Sequence, residues 1–305
     1  MRDITIFSPA TVSNVVCGFD CLGFSIAEPF DKLTIRKTDE QGIRIINNDD
    51  FGLPADPQMN VAGVAVLEML RVAGIDQGLE ITSTKSIKPG SGIGSSAASS
   101  CGAVVGVNEL LGLGFSKREL VEFAMRGEML ASGARHADNA APCIYGGFVL
   151  VRSAEPLDVV ELSCPPLWVT VIHPQIEIKT AEARAILPVD VPLRSAVRQW
   201  SNLGAFVAAL SSGDLDLLSR SMEDVIVEPV RKGLIPHFDE VMKAGRTAGA
   251  IGGGISGSGP SMFLLAENEN TAVAIGQAIR NEYAVTGIDF NTYVSEIKRG
   301  GVSIS

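Results

Sequence analysis

Short apolar runs bounded by turn-forming residues predict β-strands in the first half of the chain. They alternate in hydrophobicity or are rich in β-branched residues, and Gly, Asp and Pro flank them. The runs cover residues 4–7, 33–36, 43–46, 79–84 and 147–151. Between them, apolar residues at helical spacing predict a helix over residues 61–73, with Asn60 as its N-cap.

Two further helices are predicted in the first half. Residues 97–111 are apolar almost all round, which is typical of a buried helix. Ser116 and Glu119 have the spacing of a capping box, so an amphipathic helix is expected from there to about Ser132. The pattern thus places one helix directly after another.

A looser segment rich in proline and acidic residues separates the two halves. It includes Pro156, Asp158 and Pro165, and we place a domain boundary near Cys164. The expected units are an N-terminal domain over residues 1–164 and a C-terminal domain over residues 165–305. The second half shows strand patterns at 167–172, 262–266 and 292–297, helix patterns at about 195–211, 214–222, 236–248 and 272–283, and a glycine loop at 252–259. This grouping indicates the α+β class.

The composition narrows the classes of function. The chain has 305 residues, 25 Lys and Arg against 35 Asp and Glu, and a formal net charge of −10. Without a local run of basic residues, this charge disfavours nucleic acid and membrane surfaces as partners. The five cysteines lack paired spacing, which indicates reduced thiols and a cytoplasmic protein. They are Cys17, Cys21, Cys101, Cys143 and Cys164.

The strongest local signal lies between a predicted strand and the buried helix. From Pro89 to Ala98 the chain reads Pro-Gly-Ser-Gly-Ile-Gly-Ser-Ser-Ala-Ala. Glycines let successive N–H groups face one point, and the start of the following helix adds the positive end of its dipole. Such a loop favours a phosphate ligand.

Other interpretations of this loop fit less well. A Walker A loop needs a lysine after the glycines, and none is present. Gly92, Gly94 and Ala97 match a dinucleotide fingerprint, but a second helix follows where a βαβ unit requires a strand. A helix that packs closely through small residues, without any ligand, is the remaining alternative.

Residues 252–260 form another glycine-rich run, Gly-Gly-Gly-Ile-Ser-Gly-Ser-Gly-Pro. A strand headed by proline follows it, so the context of a dinucleotide site is again wrong. Glycine in a regular element costs roughly 0.5–1 kcal/mol relative to Ala, because its backbone loses more freedom on folding. The run therefore predicts that its backbone approaches another group closely.

These two loops form a set with the segment at residues 8–23. The segment reads Ser-Pro-Ala-Thr-Val-Ser-Asn-Val-Val-Cys-Gly-Phe-Asp-Cys-Leu-Gly. In this order and spacing, the three segments resemble the three motifs of the GHMP small-molecule kinases. Within that family, Asn14 and Asp20, together with the string Arg-His-Ala-Asp-Asn-Ala-Ala-Pro at residues 135–142, are most similar to the branch that acts on L-homoserine. The resemblance covers nearly the whole chain.

The resemblance implies a fold and a reaction. The expected architecture is the two-domain GHMP kinase fold, with an N-terminal domain like ribosomal protein S5 domain 2 and a ferredoxin-like C-terminal domain. The site is expected in the cleft between them. The implied reaction moves the γ-phosphoryl group of ATP to the side-chain hydroxyl of L-homoserine, a step toward threonine. A homodimer is expected as well.

By the same resemblance, one loop and two side chains hold the nucleotide and its metal. Mg²⁺ is expected on Ser96 and Glu128; it is a hard cation that keeps several waters, so these groups and phosphate oxygens suffice. Taken alone, Glu128 would be a solvated helix carboxylate. The residues expected to hold the ATP phosphates are Pro89, Gly90, Ser91, Gly92, Ile93, Gly94, Ser95, Ser96 and Ala97.

The resemblance also implies an acceptor site. Arg184 and Arg231 are expected to hold the substrate carboxylate, since a planar guanidinium binds carboxylate bidentately. The expected catalytic residues are His136, Asn139 and Arg184. Each residue also has a plainer interpretation, such as a turn at Asp20 or a helix cap at Thr180. The remaining residues expected to line the site are Asn14, Asp20, His136, Asn139 and Thr180.

One position departs from the wider family. Mevalonate kinases and galactokinases carry an aspartate, the candidate base, seven residues before a Gly-Gly pair, where this chain has Asn139. Asparagine cannot take a proton, and the homoserine branch shares it, so the expected mechanism relies on positioning and charge stabilisation. Two alternatives stay open: a kinase for another small alcohol, and a catalytically silent binding protein on the same fold.

Overall fold

The computed structural model describes residues 3–133 and 135–305 and contains two β-sheets. The first sheet has seven strands in the order β11-β1-β2-β4-β3, with β5 paired to β2 and β6 to β5. Its elements are β1 (Asp3–Ser13), β2 (Leu22–Thr38), β3 (Ile43–Asn47), α1 (Val61–Ala73), β4 (Gly78–Thr84), α2 (Ser95–Leu111), α3 (Lys117–Ser132), α4 (Ala140–Tyr145), β5 (Phe148–Ala154), β6 (Leu157–Leu162) and the late strand β11 (Ser303–Ile304).

The second sheet has four antiparallel strands in the order β10-β7-β9-β8. In chain order this is 4-1-3-2, with helices in both crossovers, which is the ferredoxin-like arrangement that was expected. Its elements are β7 (Trp168–Pro174), α5 (Thr180–Ala185), α6 (Leu193–Ser212), α7 (Leu215–Ser221), α8 (Glu228–Arg231), α9 (Phe238–Thr247), β8 (Gly252–Ile255), β9 (Met262–Ala266), α10 (Glu269–Tyr283) and β10 (Phe290–Glu296), with 3₁₀ turns at Lys232–Leu234 and Ala284–Thr286.

Helix starts are confirmed where the sequence carries a side-chain cap. Asn60 accepts hydrogen bonds from the N–H groups of Ala62 and Gly63 at the start of α1. Ser116 and Glu119 form both bonds of the predicted capping box at the start of α3. Local polar side chains therefore fix these two ends independently of the tertiary fold.

Two segments that were predicted as loops contain strands. The loose acidic segment contains β6, which pairs with β5, and the expected glycine loop begins with β8, which pairs with β9. In β8, a Cβ on Gly253 would collide with the carbonyl oxygen of Phe263, and one on Gly254 would lie 2.6 Å from Glu228 Oε2. The first glycines of this run therefore serve close packing inside a sheet and not a turn.

Helix α2 lies tightly against the first sheet. A Cβ on Gly102 would approach Leu33 Cδ1 to 2.9 Å, and one on Gly106 would approach Ile6 Cγ1 to 2.8 Å. The close packing through small residues that the sequence suggested is thus real. It sets the N-terminal end of α2, where the predicted phosphate loop lies, firmly on the sheet.

The chain returns to its first sheet at the end. Strand β11 pairs with β1, with Ile304 opposite Ile6, and Ile297 forms a bridge to Ile26 of β2. The expected domain division near Cys164 stays a prediction. All five cysteines are free thiols. Within the described ranges, no helix is long and apolar enough to cross a bilayer.

Candidate active site

The loop between β4 and α2 presents a run of open backbone donors. From Gly92 to Ala97, the N–H groups have no acceptor within residues 3–133 and 135–305. Gly90, Gly92 and Gly94 have φ values of 74°, 81° and 72°, a region that favours glycine. Helix α2 begins at Ser95, so its positive dipole end faces the same place. This arrangement of donors suits an anion.

Two serine hydroxyl groups donate hydrogen bonds to the carbonyl groups of this loop. Ser261 Oγ donates to the carbonyl oxygen of Ser91 at 2.6 Å, and Ser256 Oγ donates to that of Gly92 at 2.7 Å. A Cβ on Gly92 would lie 2.6 Å from the carbonyl oxygen of Gly259. The second glycine-rich run therefore makes its close approach to the first. These hydrogen bonds hold the loop in the shape in which its N–H groups can meet a ligand.

A buried ion pair anchors the start of the same loop. Lys85 pairs with Asp31, and the side chains are 1% and 0% exposed. The Lys85 ammonium also donates to the carbonyl oxygen of Ser95 at 3.1 Å and to Ser99 Oγ at 2.8 Å. Asp31 accepts from the N–H groups of residues 86–87. The pair joins β2, the loop and the first turn of α2, and no pattern in the sequence marks it.

Ser96 and Glu128 lie together beside the phosphate loop. Ser96 Oγ donates to Glu128 Oε2 at 2.9 Å. Burial raises the pKa of Glu128 to about 7, although the bond from Ser96 opposes this rise. Among the residues that the structure describes, no three His, Cys, Asp or Glu side chains are grouped to hold a metal alone. One carboxylate and one hydroxyl beside an anion loop do fit Mg²⁺ that also takes phosphate oxygens.

The loop between β1 and β2 contains unusual backbone angles. Asn14, Val16 and Asp20 have φ values of 59°, 46° and 57°, which are uncommon for residues other than glycine. Asn14 stabilises this shape, because its Oδ1 accepts from the N–H of Asp20 at 2.7 Å and its Nδ2 donates to the carbonyl oxygen of Gly257 at 2.9 Å. Strain of this kind clusters at functional sites.

Three of the expected acceptor residues meet at Asp20. Arg184 Nη2 donates to both carboxylate oxygens of Asp20, at 2.8 and 3.0 Å. His136 Nδ1 lies 3.7 Å from Asp20 Oδ1, and His136 Nε2 lies 3.3 Å from Arg184 Nη2. Arg184 Nε is buried and has no partner among the described residues. That open donor lies in the predicted carboxylate site.

Arg231 is only 2% exposed, and its Nη2 has no hydrogen-bond acceptor within the described part of the chain. Its Nε donates to the carbonyl oxygen of Ala183 at 2.9 Å, and its Nη1 donates to that of Gly257 at 3.3 Å. Burial lowers the pKa of the guanidinium, and the nearby charge of Arg184 lowers it further. The negative charge of a carboxylate ligand would oppose both effects.

Asn139 is held by two hydroxyl groups from β1. Thr11 Oγ1 donates to Asn139 Oδ1 at 2.8 Å, and Asn139 Nδ2 donates to Ser13 Oγ at 2.9 Å. A Cβ on Gly94 would lie 3.0 Å from Asn139 Oδ1, so the amide borders the phosphate loop. Next to it, burial and the charge of Asp20 raise the pKa of Asp138 to about 6, while His136 opposes the rise.

Thr180 lies at the edge of the site. It is the exposed first residue of α5, the helix that carries Arg184, and its Oγ1 lies 3.4 Å from Ser258 Oγ. The cap residue is Lys179, and no side chain caps this helix, so the alternative interpretation of Thr180 as a cap is wrong. The hydroxyl faces the second glycine-rich run instead.

Comparison with known proteins identifies the family. The model of the GHMP kinases N terminal domain matches residues 60–147, and that of the GHMP kinases C terminal matches residues 206–285. A homoserine kinase from Chloroherpeton thalassium is 42% identical over 318 residues, covering 100% of both chains. The chain belongs to the homoserine kinases. A homoserine kinase from Pyrococcus abyssi is 36% identical, and the alignment covers 97% of each chain.

Solved structures of related proteins have the same fold as this chain. The crystal structure of homoserine kinase from Cytophaga hutchinsonii has a TM-score of 0.96 and 48% sequence identity, covering 100% of this chain and 98% of that one. A mevalonate kinase from L. major has a TM-score of 0.73 at 19% identity, which shows the shared fold alone. The family and the two-domain GHMP fold predicted from the sequence are confirmed.

Proposed function

We propose that the chain transfers the γ-phosphoryl group of ATP to the side-chain hydroxyl of L-homoserine, giving ADP and O-phospho-L-homoserine. One observation carries this proposal. The carbonyl oxygen of Gly257 accepts from Asn14 and Arg231 of the acceptor site, and a Cβ on Gly257 would lie 3.0 Å from the carbonyl oxygen of Gly92 in the phosphate loop. An anion site and a carboxylate site thus adjoin.

The phosphate loop is proposed to bind the nucleotide through its backbone. The N–H groups from Gly92 to Ala97 and the dipole of α2 would stabilise negative charge on the phosphates. Charge spreads over the equatorial oxygens as the phosphoryl group transfers, and fixed backbone donors need no reorganisation at that moment. Ser256 and Ser261 keep these donors in place through the loop carbonyls.

Ser96 and Glu128 would hold Mg²⁺ with the phosphates. When bound, the ion neutralises phosphate charge. Glu128 must be ionised to take part, so its raised pKa makes binding of the metal release a proton near neutral pH. Ser96 favours the ionised form through its hydrogen bond.

The two arginines are proposed to select an acceptor that carries a free carboxylate. Arg184 Nε is a buried donor without a partner among the described residues, and the guanidinium of Arg231 is near enough for the two charges to interact. Asn14, Asp20 and His136 supply polar atoms for the ammonium and hydroxyl of the substrate. The carboxylate of Asp20 balances the charge of Arg184 until a substrate arrives.

We further propose that no aspartate base takes part in the transfer. The amide of Asn139 is fixed by Thr11 and Ser13 and lies beside Gly94, where a base would otherwise be expected. A loose transition state needs little help from a base, so orientation and charge stabilisation supply most of the rate enhancement.

A coupled assay of ADP release with ATP and Mg²⁺ tests the function. The acceptors are L-homoserine, mevalonate, galactose, L-serine and none, and mass spectrometry verifies each product. Turnover selective for L-homoserine is expected. Turnover on a different alcohol would favour the first alternative and overturn the roles of Arg184 and Arg231. ATP binding without any turnover would favour a silent binding protein.

The expected homodimer is likewise a proposal. Apolar side chains are exposed along the start of α6, where Leu193 is 72% and Trp200 is 55% exposed. Light scattering of the purified chain tests the state directly, and a mass of one chain at micromolar concentration would contradict it.

A further inference from the structure

One aromatic ring lies against both arginines of the acceptor site. The guanidinium carbons of Arg184 and Arg231 lie 5.3 and 5.0 Å from the centroid of the Phe19 ring. Both distances are within the range of cation–π attraction. Phe19 precedes Asp20 in the strained loop between β1 and β2, so its backbone position is fixed by the contacts of Asn14.

The two guanidinium groups lie close enough to repel each other, and the charges of Asp20, Asp224 and Asp138 offset part of this repulsion at Arg231. Arg184 is one of the causes that lower the pKa of Arg231, second only to burial. Asp20 pairs with Arg184, whereas Arg231 has two neutral carbonyl oxygens as its hydrogen-bond acceptors. The negative face of an aromatic ring attracts both cations without using any of their N–H groups.

The hydrogen bonds of the two arginines leave some of their donors open. Arg231 uses Nε and Nη1 on the carbonyl oxygens of Ala183 and Gly257. Arg184 uses Nη2 on Asp20 and leaves Nε buried without a partner in the described part of the chain. With Phe19 against both groups, their remaining donors are available to a carboxylate from the cleft.

We propose that Phe19 is a positioning residue that sets the specificity for a carboxylate-bearing acceptor. It holds the guanidinium groups of Arg184 and Arg231 together as one binding unit, although it does not itself take part in the chemistry. This inference rests on the proposed function, because it concerns the carboxylate of the same acceptor.

Phe19→Leu removes the aromatic face but keeps an apolar side chain, and Phe19→Tyr retains the ring as the matched control. We expect the Leu variant to raise the KM for L-homoserine about tenfold, equivalent to about 1.4 kcal/mol. The KM for ATP should change by less than about twofold, because the phosphate loop is built from other groups. The Tyr variant should behave as the unchanged chain does.

A second acceptor separates specificity from general damage. 3-Aminopropan-1-ol is L-homoserine without the carboxylate, so its use should be the same in the unchanged chain and in Phe19→Leu. The ratio of kcat/KM between the two acceptors should therefore fall about tenfold in the variant. Equal losses on both acceptors, an unchanged KM for L-homoserine, or failure of Phe19→Tyr to preserve it would overturn the proposal.

Two outcomes need a further measurement. If Phe19→Leu does not fold, as judged by circular dichroism, Phe19→Met replaces it with the same expectations. If the unchanged chain does not phosphorylate L-homoserine, the proposed function fails, and calorimetry with L-homoserine and 3-aminopropan-1-ol tests Phe19 alone. Carboxylate-dependent binding that weakens in the Leu variant would support the positioning role, and equal binding of both compounds would overturn it.

Discussion

The two sides of the cleft are built in different ways. On the nucleotide side, backbone N–H groups are held in place by buried contacts such as Lys85 with Asp31 and Ser261 with Ser91. On the acceptor side, charged side chains satisfy one another, and Arg184 and Asp20 are 40% and 33% exposed. If the proposed sites are correct, the loop that binds ATP is formed before the nucleotide arrives, whereas the acceptor must compete with an existing ion pair.

Because of this difference, contacts on the nucleotide side should determine stability, and contacts on the acceptor side should determine specificity. A buried ion pair is strongly destabilising to break, because the remaining charge stays in a medium of low polarity. A half-exposed pair contributes little, since water and salt screen it. Substitutions on the acceptor side can thus change which acceptor binds without unfolding the protein. On the nucleotide side, the same buried contacts hold both the phosphate loop and the fold.

Asp31→Asn should have the largest effect on stability. The substitution leaves the Lys85 ammonium buried without a counter-charge, so unfolding in urea should show a loss of about 3–5 kcal/mol. The double variant Asp31→Leu with Lys85→Met removes both charges and should recover part of this loss, because the N–H groups of residues 86–87 still lose their acceptor. A single-variant loss below about 1 kcal/mol would place the pair in a more polar setting than its burial indicates.

Glu128→Gln should change how stability depends on pH. Because the pKa of Glu128 is raised to about 7 by burial, the folded state binds more protons than the unfolded state between about pH 4.5 and 7. Its contribution to the free energy of unfolding therefore falls as pH rises through that window, by up to about 3 kcal/mol. Without nucleotide, the Gln variant should show a smaller decrease from pH 5 to 8. An identical decrease in both proteins would contradict the shift.

Ser96→Ala should raise the Mg²⁺ requirement. The variant loses a hydroxyl beside the carboxylate and the hydrogen bond that favours ionised Glu128, so about tenfold more Mg²⁺ should be needed for half-maximal turnover. Titration of activity with Mg²⁺ at fixed ATP measures this. Ser100→Ala removes the 3.5 Å hydrogen bond from Ser100 to Glu128 Oε1 but no proposed metal ligand, so it should change the requirement less. An unchanged requirement in Ser96→Ala would remove Ser96 from the metal site.

Asp20→Asn should separate the two sides most directly. The ion pair with Arg184 is half-exposed, so its loss should change the free energy of unfolding by at most about 1 kcal/mol. The KM for L-homoserine should rise while the KM for ATP stays the same. A loss of stability as large as that of Asp31→Asn would erase the contrast between the two sides.

Asn139→Asp should give no gain in turnover. The new carboxylate would no longer donate to Ser13, and it would add negative charge beside Asp138 and the phosphate loop. Turnover at saturating substrates from pH 6 to 9 measures the effect. A clear gain, with a new rise of the rate with pH, would show that a base was missing.

Sequence patterns predicted the parts of the fold that depend on local chemistry. The capping residues Asn60 and Ser116 marked helix starts, and the glycines at 90, 92 and 94 marked the turns of the loop that we propose binds phosphate. The strand at 252–255 was missed because glycine is rare in strands, and only the close approach of Phe263 and Glu228 explains it.

The acceptor site could be assigned only through the family resemblance. Asp20, His136 and Arg184 are far apart in the sequence, and nothing in their local pattern predicts that they meet. Phe19 and the Lys85–Asp31 pair were not predicted at all, because a ring against two arginines and a buried ion pair both depend on tertiary packing. Of the site residues, the structure shows positions, and their roles stay predictions.

The position of β11 constrains the order in which the protein can assemble during translation. Strand β1 emerges from the ribosome first, but its partner β11 follows only after the whole second sheet has been made. At about 5–20 residues per second, β1 waits for roughly 15–60 seconds with one edge open. An open edge can pair with another chain, so this interval is when the nascent protein is most prone to aggregation.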